Sequence, residues 1–212
     1  MESMNKVVFL GIDLDPSIQA SHIMNNMNCE LLVSHTSRNP FIEYPDEYDI
    51  GIAFMYRNLV PKKELKKAIW INIHPAPLPL YGGRNVAYHA ILNQEKRFGA
   101  SIHYMSESFD KGDIISTSWF DIPEDITANE LYKLSCNESL KLLKEFIPKI
   151  LTGTSFKAEG QKGHKYYEQC IINDFIELDH HSKTKIRALY APPYYPKIKI
   201  GNRVFKIKLL EE

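Results

Sequence analysis

Cysteine is scarce in this chain: three in 212 residues. Cys29, Cys136 and Cys170 are odd in number and widely spaced, which suits neither a disulfide framework nor a zinc site. They read as free thiols in a reducing compartment. A surplus of charge is missing too. Lys+Arg and Asp+Glu number 26 each, which argues against a nucleic acid or an anionic membrane surface as a general partner. No apolar run reaches the length of a membrane span. The opening residues, MESMNKVVFLGIDLD, have too short an apolar run, followed by acids, for a secretory signal. A cytoplasmic location is expected. Also absent is a glycine-rich pyrophosphate cradle. The first turn, GIDLDPS, lacks that fingerprint, so no nicotinamide or flavin dinucleotide is expected there.

The hydrophobic fraction, 44%, and the charged fraction, 25%, are those of an ordinary globular chain. The length suits one medium domain with a small appendage. Lys6 to Ile12 reads as a buried parallel strand. Pro16 to Met27 reads as a helix, with Asp15 as its N-cap. Glu30 to Ser34 reads as a second strand. This β-α-β opening predicts a doubly wound sheet. His35 to Tyr48 reads as a connection and Asp49 to Phe54 as a third strand. Lys62 to Lys67 makes a short helix with a solvated basic face. Asn85 to Asn93 is an amphipathic helix. Two more strands, Gly99 to Met105 and Asp113 to Ile122, precede a long helix from Thr127 to Ile147. Thr127 and Glu130 form a capping box, and Pro148 falls near the helix end. Residues 152–165 read as a linker or exposed loop. A helix from Ser182 to Tyr190 and a hairpin turning at Gly201-Asn202 follow. A lone hairpin is only marginally stable in water, which favours packing on a second copy and a homodimer.

Chemistry concentrates between Ile71 and Asp113. Asn72 and His74 alternate on a strand and therefore share a face. Pro75, Pro77 and Pro79 forbid its continuation as helix or central strand. The chain must then run as an extended loop to Gly82-Gly83. Asp110 follows in a second loop, closed by Lys111-Gly112-Asp113. His89 reads as a packed side chain, His103 as packed in preference to an inner-shell histidine, and the pair His180-His181 as surface residues, so no metal is expected.

The wording NxHPxPLPxYxG, then GxSIHxMxExxDxGDI, resembles the catalytic domain of the formyltransferases that use 10-formyltetrahydrofolate. It looks most like the branch acting on nucleotide-linked amino sugars. The resemblance covers roughly residues 6–150 well. It implies a Rossmann-like α/β fold: a mostly parallel, doubly wound sheet with helices on both faces, plus a small C-terminal α+β appendage bearing the hairpin. It implies a catalytic domain over 1–151 and an extension over 152–212. It also implies that Asn72, His74 and Asp110 are catalytic. Tyr56, Arg57, Leu59, Ser106, Glu107 and Asp110 are then the candidates for folate contact. Pro75, Gly83, Arg84 and Tyr190 are the candidates on the acceptor side.

The implied reaction moves a formyl group onto the amine of a dTDP- or UDP-linked amino-dideoxy sugar, for surface polysaccharide synthesis. Other acceptors stay open: glycinamide ribonucleotide, a peptide-bound amine, or water. The phosphate loop of the glycinamide ribonucleotide enzymes does not fit GIDLDPS. A methionyl-tRNA enzyme is expected to carry a larger, basic C-terminal domain. A non-catalytic folate- or nucleotide-binding module has no use for the full Asn/His/Asp set.

Overall fold

A computed structural model describes residues 4–168, 176–177 and 179–208. Cys170 lies outside them. The chain opens β1 (Lys6–Gly11), α1 (Asp15–Asn25), β2 (Glu30–Thr36), β3 (Ile50–Phe54), α2 (Lys62–Lys67) and β4 (Ile69–His74). It continues through β5 (Gly82–Gly83), α3 (Val86–Leu92), β6 (Arg97–Tyr104), β7 (Ile114–Asp121) and α4 (Ala128–Leu151). Then come β8 (Tyr166–Tyr167), α5 (Ser182–Leu189) and the hairpin β9 (Lys197–Ile200) and β10 (Arg203–Lys206).

Six strands form the main sheet in the order β2-β1-β3-β4-β6-β7. The first four run parallel, and β6 and β7 close the edge antiparallel. The sheet is thus mixed and mostly parallel, as expected. Alternating side chains divide its faces. Val7, Phe9, Ile52, Ile71 and Ile73 face the core that α1 and α4 supply with Met24, Leu143 and Ile147. Val8, Leu10 and Trp70 face the other way, toward Tyr48, Val60 and Leu65 of α2. Burying each large aliphatic contributes about 1.5–3 kcal/mol. Ile71 and Ile73 therefore anchor β4 from one side, and this fixes where Asn72 and His74 project on the other.

Local signals were read with small errors. Leu14, not Asp15, is the N-cap of α1, and no side chain caps it. The Leu14 carbonyl already takes the amides of Ser17 and Ile18, which leaves Asp15 inside the first turn, where its charge suits the helix dipole. β2 reaches Thr36, taking two residues assigned to the connection. At α4 the capping box is present, with the Thr127 amide donating to Glu130 Oε2 at 2.8 Å. Pro148 lies inside the last turn, because the helix runs on to Leu151.

The larger difference concerns residues 152–165. Part of this stretch is a strap. Glu159 and Ile114 exchange backbone hydrogen bonds, each 2.9 Å, and β8 pairs in parallel with β5.

α2 is not merely a solvated basic surface. Glu64 is buried, and its carboxylate accepts from the Tyr48 hydroxyl at 2.8 Å and meets Lys67 Nζ at 3.1 Å. Burial pushes this carboxyl up, but the Tyr48 and Lys67 contacts outweigh it and hold it below its ordinary value. A carboxyl lowered in the folded state stabilises above the unfolded carboxylate range. That contribution fades as pH falls through the folded value. Glu64→Ala is expected to cost about 1.5–3 kcal/mol, the range for a hydrogen bond to a charged group. Urea unfolding at neutral pH measures it, and an unchanged midpoint would show the network to be idle.

Candidate active site

Asn72 and His74 lie at the end of β4, two residues apart on the face away from the α1/α4 core. β6 pairs antiparallel with β4 and sets His103 directly opposite Asn72. Cross-strand partners share a face, so three polar side chains meet on one patch of sheet. Asp110 arrives from the loop after β6. All of these side chains are nearly buried.

The carboxylate of Asp110 is the meeting point. Its Oδ1 lies 3.5 Å from Asn72 Nδ2, 3.6 Å from His74 Nδ1 and 3.9 Å from His103 Nε2. Its Oδ2 accepts the Gly83 amide at 2.8 Å.

Backbone carbonyls set both imidazole tautomers. His74 Nε2 faces the Tyr81 carbonyl at 2.8 Å, so that nitrogen must donate. Nδ1 is left toward Asp110. In His103, Nδ1 faces the Tyr104 carbonyl at 2.7 Å and donates. Its Nε2 therefore accepts, and it takes the Asn72 amide at 3.0 Å. This orients the carboxamide. Asn72 Nδ2 points at His103 and Asp110, and Asn72 Oδ1 is buried without a hydrogen-bond partner among the described residues. Full burial pushes the His103 imidazole down to about 4, against the pull of Asp110.

Beside this cluster lies a narrow cleft open to solvent. Tyr56, Asn58 and Leu59 line it from the loop after β3, and Met105, Ser106, Ser108 and Phe109 from the loop after β6. Asn72, His103 and Asp110 complete its wall. Of the expected folate contacts, Tyr56, Leu59, Ser106 and Asp110 are thus brought together. Glu107 points away and pairs with Lys62 at 2.7 Å on the surface. Arg57 is exposed and outside the lining, and its charge acts on Tyr132.

The acceptor-side candidates are dispersed. Pro75 is buried and outside the lining. Gly83 is spent on structure: its amide serves Asp110, its φ is +95°, and a Cβ would collide with the Tyr167 carbonyl. Arg84 is exposed, and its amide donates to the Tyr167 carbonyl at 2.8 Å. Tyr190 packs edge-on to Tyr195 in the tail.

The sequence favours a packed His103 over an inner-shell one, whereas the structure sets it against Asn72. Its place opposite Asn72 depends on strand register, which alternation within one strand does not supply. Asn58, Met105, Ser108 and Phe109 were also missed. They are ordinary loop residues that only the fold gathers at the cleft.

A family model, described as formyl transferase, matches residues 43–147. A GDP-perosamine N-formyltransferase of Brucella melitensis is 28% identical, over 97% of this chain and 86% of that protein. A 4-N formyltransferase from Francisella tularensis superposes with a TM-score of 0.80, at 21% identity and 99% coverage of both chains. An N-formyltransferase from Helicobacter canadensis, solved with folinic acid and dTDP-3-aminofucose, gives 0.73 at 20% identity, covering 94% of this chain and 85% of that one. The two structures establish the fold.

The His103 geometry has a consequence in pH. Its folded value of about 4 lies below the ordinary 6.5. The unfolded chain therefore binds the extra proton first as pH falls. The neutral ring stabilises fully above about 6.5, and this is lost as pH drops toward 4. Denaturant unfolding at several pH values should show a decline across that window, shallower in His103→Gln. Parallel declines in the two proteins would contradict the assignment.

Proposed function

The chain belongs to the formyl transferase family, and from that premise we propose that it transfers a formyl group from 10-formyltetrahydrofolate to the amine of a nucleotide-linked amino sugar. The observation that carries this reading is the convergence of Asn72, His74 and Asp110, with Asp110 Oδ1 within 3.6 Å of the other two and with Asn72 and Asp110 on the wall of one cleft. The likeness to the GDP-perosamine enzyme along nearly the whole chain supports the sugar acceptor.

The chemistry follows from the geometry. The acceptor nitrogen attacks the formyl carbon, and the carbonyl electrons move to oxygen. When the tetrahedral centre collapses, the bond to the folate nitrogen breaks. The acceptor nitrogen loses one proton overall and the folate nitrogen gains one. His74 Nδ1 is the nitrogen free to take and return that proton, since Nε2–H is held by Tyr81. Asp110, 3.6 Å away, stabilises the imidazolium that forms. One Asn72 N–H is tied to His103 at 3.0 Å, while the other is only loosely held by Asp110 at 3.5 Å. The loosely held hydrogen is the one able to turn to the oxyanion.

Tyr56, Leu59 and Ser106 provide the folate wall in this reading. Arg57 and Glu107 would reach it only from its rim. Pro75, Gly83 and Arg84 border the acceptor side, with Tyr190 more remote. Residues 1–151 carry the reacting groups, and residues 152–212 supply the strap and the appendage. The carrier is a nucleoside diphosphate. The sequence favours dTDP or UDP, and the Brucella relative adds GDP. A role in surface polysaccharide synthesis in the cytoplasm, and a homodimer through Ile200 and Phe205, exposed on one face of β9 and β10, complete the proposal.

Incubation with 10-formyltetrahydrofolate and dTDP-, UDP- or GDP-linked amino sugars, followed by mass spectrometry, tests the reading. A product 28 mass units heavier is expected from formyl replacing hydrogen (~28 Da), and it supports acyl transfer. Cofactor consumption without any acceptor would point to hydrolysis. Asn72→Ala, His74→Ala and Asp110→Ala should each lower kcat by about 100- to 1000-fold, the cost typical of losing one oxyanion donor. Near-parent turnover in any of them would refute that residue's role.

A further inference from the structure

We infer that Gln161 is a positioning residue for the Asp110 carboxylate, acting through the backbone of the loop that carries it. What the carboxylate does rests on the formyl-transfer reading; where Gln161 holds it does not. Glu159 locks the strap to Ile114 by two backbone bonds. Two residues on, Gln161 Nε2 donates to the carbonyls of Asp110 and Gly112, each at 2.7 Å. Both amide hydrogens are thus committed to the two carbonyls that bracket Lys111.

That commitment has a mechanical reason. Asp110 has a φ of +54°, a left-handed conformation that a residue with a Cβ adopts only when its surroundings impose it. The neighbouring Gly112 is pressed against the Tyr104 carbonyl, where a Cβ would not fit. The loop is therefore backed on one side by β6 and gripped on the other by Gln161.

The strap also sets the second hold on the carboxylate. Lys165 donates to the Pro79 carbonyl at 2.9 Å and accepts the Gly82 amide at 3.0 Å. Arg84 donates to the Tyr167 carbonyl at 2.8 Å. Gly83, between them, donates to Asp110 Oδ2. One strap thus fixes the carboxylate twice, through the main chain and through Oδ2. Oδ1 is left facing Asn72 and His74. Gln161 Oε1 is buried with no hydrogen-bond partner among the described residues, so the side chain is not held there by its own oxygen. Without the two bonds from Nε2, the strap holds the Asp110 backbone only through His164, and Asp110 can relax toward an ordinary φ and swing Oδ1 away. A misplacement of about 1 Å lowers turnover by about 100-fold.

The experiment uses the full chain with Gln161→Met, which keeps length but has no donors, and Gln161→Asn, which keeps the amide but is too short. Two quantities are read: hydrogen exchange at the Gly83 amide, and kcat against KM. In both variants the Gly83 amide should exchange about tenfold faster or more, while amides of β1 and β3 exchange as in the parent. The kcat should fall about 10- to 100-fold with KM for the folate within about twofold. Parent-like exchange at Gly83, or a retained kcat, in folded Gln161→Met overturns the proposal. Equal acceleration in β1 and β3 does so as well, since Gln161 would then support only the fold. Faster Gly83 exchange beside a parent enzyme that formylates no amino sugar upholds the positioning and removes the substrate reading.

Discussion

One carboxylate governs how this site is built. Asp110 Oδ1 faces three nitrogens within 3.9 Å, and Oδ2 takes a backbone amide. A nearly buried anion is costly unless donors compensate it. The elements around Asp110 therefore do more than place it. Asn72 on β4 supplies a side-chain N–H, the β5 glycine supplies an amide, and the strap supports its backbone. The same contacts that make the charge tolerable bring Asn72 and His74 into register with it. The cost of burying the anion and the preorganisation of the site thus have one structural solution.

Neutrality of His103 is the complementary condition. A charged imidazole in that position would present an N–H to the Asn72 amide instead of a lone pair. The carboxamide would then have to turn, and its N–H groups would leave the Asp110 side. Desolvation by the sheet keeps the ring neutral. The Tyr104 carbonyl fixes its tautomer. The orientation of a key amide is thus decided by a backbone carbonyl two steps away, and each step is a hydrogen bond with only one feasible direction.

Much of this architecture was legible in the residues, and the reason is local. β-Branched and apolar runs such as KVVFLGI, the proline punctuation after His74, and the Thr127/Glu130 box each state their structure within a few positions. Asn72 and His74 share a face by strand alternation alone. What was not legible depended on pairing over distance. His103 needs the β4–β6 register, and Glu64 needs Tyr48 to close over it. Gln161 needs the chain to return across two loops after a helix of 24 residues. No short window carries that information, and a stretch with neither helix nor strand periodicity reads as a linker even where its backbone is paired. Among the acceptor-side candidates, Gly83 shows a related effect. Gly83 sits where a catalytic loop needs glycine, but its amide and its left-handed backbone are consumed by Asp110 and Tyr167.

The unpartnered oxygen of Asn72 bears on why such a site stays poised. A buried acceptor without a donor costs about 1–3 kcal/mol. Rotating the amide to satisfy it would set that oxygen against the lone pair of His103 Nε2, which is worse. The free site therefore retains an unmet, solvent-inaccessible acceptor on the residue whose amide nitrogen faces His103 and Asp110. The tautomer of His103, set by a peptide carbonyl in β6, thus decides which atom of the Asn72 amide faces Asp110 and which is left unmet.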